Sequence, residues 1–394
     1  MKTRICDVVE TGIKGLWGNE CEPLEHGVPV IKTNNLSYEG VIDFSEITYR
    51  DIELDKAQKN WLCNGDILVE KSGGTKTHTV GYVSYFDGES NKYVCNNFIL
   101  ALRPLSNKVF GKFLFYQMRY MYESGLFSDC YNRTTGIQNL QQNRYLSKEI
   151  KLPILSEQQT ISHVLDSIVQ MIGQKRQQLA QLDELIKSRF VEMFGDVSVN
   201  DKNWITQGLS SLGTLKNGMN FHYDDKGVSV RVLGVGDFKD NSVIDNAENL
   251  SLVTLAETPA ADYYLQNHDL IFVRSNGNKA LVGRCVEAIP NDVPTVFSGF
   301  CIRFRNESKS VNIKYLLYFF KQDEIRAKIA GRGANIQNLN QKILSAIDVP
   351  LPPLELQNRF ADFVQKTEQA KTIVKQQIAD LQELLDSKME EYFG

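Results

Sequence analysis

The amino-acid sequence contains two copies of one unit. An Ile-Gln-Asn-Leu run at residues 137–140 recurs at residues 336–339. In the same register both copies end in Phe-Gly, at residues 194–195 and again at residues 393–394. Repetition over such a span is typical of a duplicated structural unit. We therefore predict two similar halves, one after the other along the chain.

Composition limits what these halves can be. The 394 residues are 42% hydrophobic and 23% charged, which is typical of globular proteins and excludes a largely disordered chain. No apolar run approaches the roughly 18 residues of a membrane span, and the N-terminus lacks the apolar stretch of a secretion signal. The net charge of −4 does not exclude nucleic acid, because binding depends on a local basic surface. We expect a cytoplasmic protein.

The first part of each half predicts a mixed lobe. Strand-like runs at residues 66–69, 80–83 and 98–101 are separated by Gly and Asn, which favour turns. An Asn-x-Asp run at residues 64–66 recurs at 267–269, so the second half shares this organisation. Each half is therefore expected to begin with an α+β lobe that contains mixed β-sheets.

The second part of each half predicts a long helix. Ser156, followed by Gln159, is typical of a helix start with Ser as the cap. Apolar residues then recur at the alternating spacing of four and three that marks a coiled-coil seam. The predicted seam consists of Ile161, Leu165, Ile168, Ile172, Leu179, Leu182 and Ile186 in the first copy, and of Phe360, Val364, Val374, Ile378, Leu381 and Leu385 in the second.

Charges within the seam favour an antiparallel pair. Parallel helices in the repeat register would place Arg189 opposite Lys388, whereas antiparallel helices place both cations opposite apolar residues. Such a pair, roughly 35 residues long, would form a rod of about 50 Å. The alternative is two amphipathic helices, each packed on its own lobe. The predicted domains are a first lobe at 1–152, a central helix at 153–196, a second lobe at 197–350 and a C-terminal helix at 351–394.

Catalytic motifs are missing from the sequence. It has no phosphate loop, nucleophile elbow, zinc-protease helix or complete dinucleotide fingerprint. Seven cysteines without a C-x-x-C pair and five scattered histidines predict neither disulfides nor a metal site. A weak alternative is a magnesium nuclease at residues 290–292 and 307–309, where carboxylates and a lysine could hold the ion. We expect no catalytic residues.

Two cationic segments are duplicated instead. Lys-Ser-Gly-Gly-Thr-Lys at residues 71–76 corresponds to Arg-Ser-Asn-Gly-Asn-Lys at 274–279, and such loops suit phosphate oxygens and guanine edges. Segments 133–138 and 332–337 each place an arginine before a predicted helix start, where a phosphate could bind. The alternatives are ordinary hairpin turns and a run that docks each lobe on the coiled coil. The candidate DNA-binding residues are Lys71, Ser72, Gly74, Lys76, Arg133, Thr134, Arg274, Ser275, Asn276, Lys279 and Arg332.

The arrangement of motifs resembles a known family. Two lobes, each followed by Leu-Pro-x-Leu-x-x-Gln at residues 152–158 and 351–357 and by a long helix, are similar to the DNA-specificity subunit of type I restriction-modification enzymes. The resemblance covers the full chain, and it includes the two Ile-Gln-Asn-Leu runs. One departure is Leu356, which stands where the first copy has Glu157.

The resemblance implies a division of labour. Each lobe would be a target recognition domain that reads one half of a split sequence in double-stranded DNA. The antiparallel coiled coil would set the spacer and dock two methyltransferase subunits, and restriction subunits are optional further partners. No cofactor is expected on this chain, because S-adenosylmethionine would bind the partner methyltransferase subunits. The alternatives are a two-lobed protein-protein scaffold that does not recognise DNA, and the magnesium nuclease built around Glu307.

Overall fold

The chain folds into two compact units. The computed structural model describes residues 2–22, 27–74, 78–134, 137–221, 227–239, 241–330 and 338–394, without the side chains of residues 133, 134 and 330. The first unit consists of Met1–Arg176 with Gln376–Gly394, and the second of Gln177–Lys375. Each unit therefore contains one lobe, the start of the long helix that follows this lobe, and the end of the other long helix.

Lobe 1 is built on small antiparallel and mixed sheets. One sheet has the strand order β2-β10-β6-β8, a second β3-β5-β4-β9, a third β11-β12-β7, and β1 pairs with β13. The strands are β1 (Lys2–Arg4), β2 (Val9–Glu10), β3 (Asn19–Glu20), β4 (Val28–Ile31), β5 (Thr48–Asp51), β6 (Ile67–Glu70), β7 (Ser72–Gly73), β8 (Val83–Tyr85), β9 (Val94–Cys95), β10 (Ile99–Pro104), β11 (Tyr131–Thr134), β12 (Ile137–Leu140) and β13 (Glu149–Lys151). Its helices are α1 (Leu54–Gln58), α2 (Gly111–Glu123) and α3 (Gln142–Leu146).

Lobe 2 repeats this plan. Its largest sheet has the order β15-β22-β19-β20-β17, a second β18-β16-β21, and β14 pairs with β23. The strands are β14 (Thr206–Gly208), β15 (Gly213–Asn217), β16 (Val228–Leu233), β17 (Val243–Ile244), β18 (Ser251–Leu255), β19 (Asp269–Val273), β20 (Cys285–Ala288), β21 (Thr295–Phe297), β22 (Cys301–Asn306) and β23 (Asp348–Pro350). The long helix α4 (Leu155–Phe194) precedes this lobe, α5 (Leu209–Leu212), α6 (Ile313–Phe320), α7 (Asp323–Ala330) and α8 (Gln341–Ser345) lie in it, and α9 (Leu354–Phe393) follows. The predicted α+β class and duplication are confirmed.

The core of the first unit joins lobe 1 to both long helices. Ile161, Leu165, Ile168 and Ile172 of α4 are buried in the same cluster as Leu385, Met389 and Phe393 of α9. Phe393 contacts Phe113 of α2, with ring centroids 5.4 Å apart. The repeated Phe-Gly ending therefore has a packing role, since its phenylalanine closes the core of a lobe.

The second unit uses the equivalent residues of the other copy. Phe360 and Val364 of α9 are buried with Ile186, Phe190 and Phe194 of α4. The helices run antiparallel here, because Asp183 of α4 binds Lys371 of α9 at 2.7 Å while Phe190 packs on Phe360 with ring centroids 5.4 Å apart. This agrees with the predicted antiparallel pairing. The seam residues Val374 and Leu385 are buried as well, whereas Leu179, Leu182, Ile378 and Leu381 near the helix centres are half-buried.

The glutamine of the repeated Leu-Pro-x-Leu-x-x-Gln motif anchors each lobe to its helix. Gln158 is buried, and its Oε1 accepts a hydrogen bond from the Phe110 amide at 2.8 Å while its Nε2 donates to the Pro153 carbonyl at 2.8 Å. Gln357 makes the same bonds with the Asn312 amide and the Pro352 carbonyl, both at 2.8 Å. Phe110 and Asn312 cap the lobe helices α2 and α6. The motif is thus a structural clamp within each unit.

Two local predictions were wrong. Helix α4 begins at Leu155, so Ser156 lies inside the first turn instead of capping it. The strand predicted at 80–83 lies largely outside β8, which begins at Val83, because Gly81 has φ +100° and donates its amide to the Glu70 carbonyl in a turn. Local patterns set element type better than boundaries.

Candidate nucleic-acid interface

In lobe 1 the fold brings the two duplicated segments together. Lys71 follows β6; its amide donates to the Phe98 carbonyl and its carbonyl accepts from the Leu140 amide, both at 2.8 Å. Beside it Ser72 donates its hydroxyl to Asn139 Oδ1 at 2.7 Å. The loop after β6 is therefore held along strand β12 by backbone and side-chain bonds.

The Ile-Gln-Asn-Leu run at residues 137–140 pairs with this loop. Gln138 is buried and accepts a hydrogen bond from the Val80 amide at 3.2 Å. Gly74 has φ +70°, in the left-handed region that side chains avoid. The run pairs with β7 through Gly73 and Ser72. Its Leu140 also belongs to the buried core that contains Ile161 and Leu165 of α4, which agrees with the docking alternative.

Lobe 2 repeats the arrangement with its own residues. The Arg274 amide donates to the Phe300 carbonyl at 2.8 Å, and the Arg274 carbonyl accepts from the Leu339 amide at 2.8 Å. Ser275 pairs with Asn338 as an isolated bridge. Arg274 Nη1 also donates to the Gly299 carbonyl at 3.3 Å, which directs the guanidinium toward the loop before β22. The same backbone frame thus carries lysine in one lobe and arginine in the other.

A groove lies beside each of these loops. In lobe 1 the first groove, of about 570 Å³, is lined by Thr33, Tyr38, Glu70, Gly74 and Phe98, among others. In lobe 2 the second groove, of about 710 Å³, is lined by Val235, Leu252, Asn276, Gly277 and Phe300, among others. Phe98 and Phe300 are 54% and 60% exposed, an unusual state for phenylalanine. Both grooves offer a concave surface with an exposed phenylalanine ring.

Sequence reasoning missed these aromatic residues. Phe98 was placed in a strand, but β10 starts one residue later, at Ile99. In lobe 1, Tyr38 stacks on His78 with ring centroids 3.9 Å apart and remains partly exposed. The signal that could have found Phe98 and Phe300 is their shared place in the repeat. Each lies directly before the strand that pairs with the strand leading into the cationic loop. Exposed aromatic rings of this kind can stack on bases or contact thymine methyl groups.

Lobe 2 also has cations that sequence reasoning missed. Arg284 donates to the Lys239 carbonyl at 2.6 Å, and Arg326 donates to the carbonyl of Ala280, the residue after Lys279. Burial lowers the pKa of Arg326, and the nearby Arg284 charge lowers it further. The Asp323 carboxylate raises the pKa of Arg326 in part, so this arginine lies among charges of both signs.

The other predicted residues are distributed as follows. Lys279 is exposed at the start of a short 3-10 helix, and Asn276 accepts the Asn278 amide at 2.8 Å, which shapes the turn before it. Arg133 and Thr134 lie in β11, so the predicted helix start there was wrong: the segment forms a hairpin with β12. Their side chains, together with Lys76 and Arg332, lie outside the described residues. The DNA contacts of the whole set stay a prediction.

Potential metal ligands do not cluster in the described part of the chain. Within the described ranges no group of three or more His, Cys, Asp and Glu side chains could hold a metal ion. Glu307, the centre of the nuclease alternative, accepts a hydrogen bond from Thr214 Oγ1 at 3.1 Å. None of the described helices combines the length and the apolarity of a membrane span.

Comparison with known proteins identifies the class. The model of the type I restriction-modification DNA specificity domain matches residues 1–184 and again residues 201–383. The chain therefore belongs to this family, and its role is DNA sequence specificity in type I restriction-modification. The two matches correspond to the two halves of the internal repeat.

Individual relatives agree with this membership. The chain is 26% identical over 378 residues to the type I restriction enzyme StySPI specificity subunit of Salmonella potsdam, covering 89% of this chain and 77% of the relative. It is 23% identical over 374 residues to the EcoKI specificity subunit of Escherichia coli K12, with coverage of 89% and 77%. The solved S subunit from M. genitalium has the same fold, with a TM-score of 0.54 at 15% identity, over 100% of this chain and 96% of that one. A chain from a type I R-M system assembly reaches 0.59 at 15% identity, with coverage of 100% and 97%.

Proposed function

We propose that each lobe reads one half of a bipartite sequence in double-stranded DNA through its groove and the cationic loop beside it. The carrying observation is that both lobes hold a cation, a glycine-containing turn and an exposed phenylalanine on the same backbone frame, at Lys71 and Phe98 and at Arg274 and Phe300. A duplicated frame with different side chains is what two separate half-sites require.

The long helices set the spacer between the half-sites and dock the partner subunits. Each helix runs uninterrupted for 40 residues, and each unit uses the start of one helix and the end of the other. The proposed partners are two methyltransferase subunits, with restriction subunits as further partners. The chain itself is non-catalytic and binds no cofactor, and S-adenosylmethionine is held by the methyltransferase subunits.

The test uses the complex reconstituted with its methyltransferase subunits and DNA probes altered in one half-site at a time. Lys71→Ala or Lys76→Ala should impair recognition of one half, and Arg274→Ala or Lys279→Ala recognition of the other. A lost base contact should cost about 1–3 kcal/mol at one position, and a lost phosphate contact should lower the salt slope by about one unit.

Matched controls are Lys108→Ala and Lys309→Ala. These exposed lysines lie beyond the far ends of β10 and β22, roughly 16 Å along the strand from the groove. They should leave both half-sites unaffected. Unchanged affinity and salt dependence in all four loop variants would contradict loop-based reading, and absence of any salt-dependent DNA binding by the complex would favour the scaffold alternative.

A further inference from the structure

The first groove contains a buried carboxylate with an unused oxygen. Glu70, the last residue of β6, is 7% exposed and lines the groove. Its Oε1 accepts a long hydrogen bond of 3.5 Å from the Gly74 amide, whereas Oε2 has no hydrogen-bond partner among the described residues. A buried acceptor without a donor is unfavourable, so it commonly indicates a ligand that supplies the donor.

The fold does not require this carboxylate. The Glu70 amide donates to the Tyr82 carbonyl at 3.2 Å, and in lobe 2 the Val273 amide donates to the Arg284 carbonyl at 2.9 Å, so Glu70 and Val273 occupy equivalent positions. Val273 is fully buried and apolar. Because the same frame accepts valine, Glu70 is explained by function in lobe 1 and not by packing.

The surroundings favour a neutral planar donor. Tyr38 and Phe98 line the same groove as Glu70, and Tyr82 is buried beside it. Burial raises the pKa of Glu70, which makes an added hydrogen bond to its ionised form more valuable. One carboxylate among aromatic rings is too few ligands for Mg²⁺ or Ca²⁺. Aromatic walls and an acceptor at the floor match a nucleobase that carries an amino group.

Among the bases, cytosine fits best. Its major-groove edge offers the N4 amino group without an acceptor beside it, so an acceptor-only carboxylate meets only a donor. Adenine places the N7 acceptor next to its amino group, which would face the second carboxylate oxygen, and guanine offers only acceptors on that edge. We propose that lobe 1 reads a cytosine through Glu70, whose Oε2 accepts a hydrogen bond from the exocyclic amino group. This inference rests on the proposed DNA-reading function of the lobe.

The test begins with the reconstituted methyltransferase complex and a library of DNA targets. The wild-type complex should require a cytosine in the half-site that Lys71→Ala impairs. Replacing that cytosine with pyrimidin-2-one, which lacks the amino group, should weaken binding about tenfold. Glu70→Val should lose the same factor on cytosine and show no further loss on pyrimidin-2-one. Glu70→Gln, which keeps the side-chain shape, should relax the preference or shift it toward adenine.

Controls separate failure of this inference from failure of the proposed function. Glu89→Gln changes an exposed carboxylate of the same lobe that pairs with Lys92 at 2.8 Å, and it should leave the preference intact. If the wild-type complex binds a bipartite site but pyrimidin-2-one is tolerated throughout the lobe 1 half, or the Glu70 variants keep the wild-type preference, this inference is wrong and the proposed function stands. If the wild-type complex recognises no bipartite site, the proposed function itself fails.

A fluorescent cytosine analogue that keeps a hydrogen-bond donor at N4 tests the geometry of the contact. Continued quenching on binding would support a base read within the stacked duplex, whereas brightening would indicate an extruded base, which presents its Watson–Crick edge and would contradict the proposed major-groove contact. The binding of the analogue should weaken with Glu70→Val. A response and an affinity that are the same in wild type and Glu70→Val would contradict a contact between Glu70 and the base.

Discussion

The two lobes have the same backbone frame but different side chains at equivalent positions of it. In lobe 1 the frame carries Glu70 and Tyr82, and in lobe 2 it carries Val273 and Arg284 at the equivalent positions. The first groove therefore presents an acidic and aromatic surface, whereas arginines lie close to the loop beside the second. The fold therefore determines where the recognition residues lie, whereas their chemical character differs between the two lobes.

The shared frame is held by a duplicated ion pair. Arg103 binds Asp66 through Nε at 2.9 Å and Nη2 at 2.8 Å, and Arg305 binds Asp269 through the same atoms at 2.8 and 2.7 Å. Both aspartate side chains are 1% exposed. This pair explains the repeated Asn-x-Asp run as a structural feature of each lobe.

The largest expected effect tests whether the two frames are equivalent. Asp66→Ala and Asp269→Ala should each lower the free energy of unfolding of their own unit by about 3 kcal/mol, because each leaves an arginine without its carboxylate. Denaturant unfolding combined with hydrogen exchange of each lobe would measure both losses. A large loss of stability in one lobe and none in the other would show that the two frames are not equivalent.

The next largest effect concerns the two buried glutamines that anchor each lobe to its helix. Gln158→Ala and Gln357→Ala should each cost about 2 kcal/mol, since the amide of Phe110 or Asn312 and a proline carbonyl lose their partners. The exposed neighbours Gln159 and Arg359 supply the controls, and their alanine variants should have unfolding midpoints close to wild type. Equal losses of stability for Gln158→Ala and Gln357→Ala would support the equivalence of the two units.

A smaller effect should have opposite signs in the two lobes. Arg119 of α2 binds Glu123 at 2.8 Å, and its equivalent Lys321, the residue directly after α6, donates to Ser242 Oγ instead. Burial lowers the pKa of Lys321 to about 8. Arg119→Met should therefore destabilise the first unit by less than about 1 kcal/mol. Lys321→Met should stabilise the second unit by about 1 kcal/mol at pH 7, because it removes a buried charge.

The pH dependence of stability tests the sign of the Lys321→Met effect independently. The folded-state pKa of Lys321 lies below its ordinary value of 10.5, so its penalty is present below pH 8 and is relieved as the pH rises from about 8 to 10.5. The stability gap between Lys321→Met and wild type should close over that window. A gap that is constant with pH would show that the charge of Lys321 does not matter.

The sequence predicted the duplicated architecture, but it could not predict which residues line the grooves. Two lobes and two long helices followed from the repeated identities and the heptad spacing. Their antiparallel pairing followed from the charges of Arg189 and Lys388 within the seam. The roles of Gln158 and Gln357 were missed because their partners lie 48 and 45 residues away. Glu70 lies directly after the strand predicted at 66–69, and only pairing of β6 with β8 and β10 places it in the groove.

The most direct test of separate reading uses a chain that carries lobe 1 twice. Residues 2–151 would replace residues 206–350, because Lys2 pairs with Lys151 as Thr206 pairs with Pro350, and Gln357 can clamp the inserted lobe as Gln158 does. The target of the reconstituted complex would be selected from a DNA library. The account predicts a target in which both halves carry the sequence read by lobe 1. A well-folded chimera that still selects the original second half would contradict it.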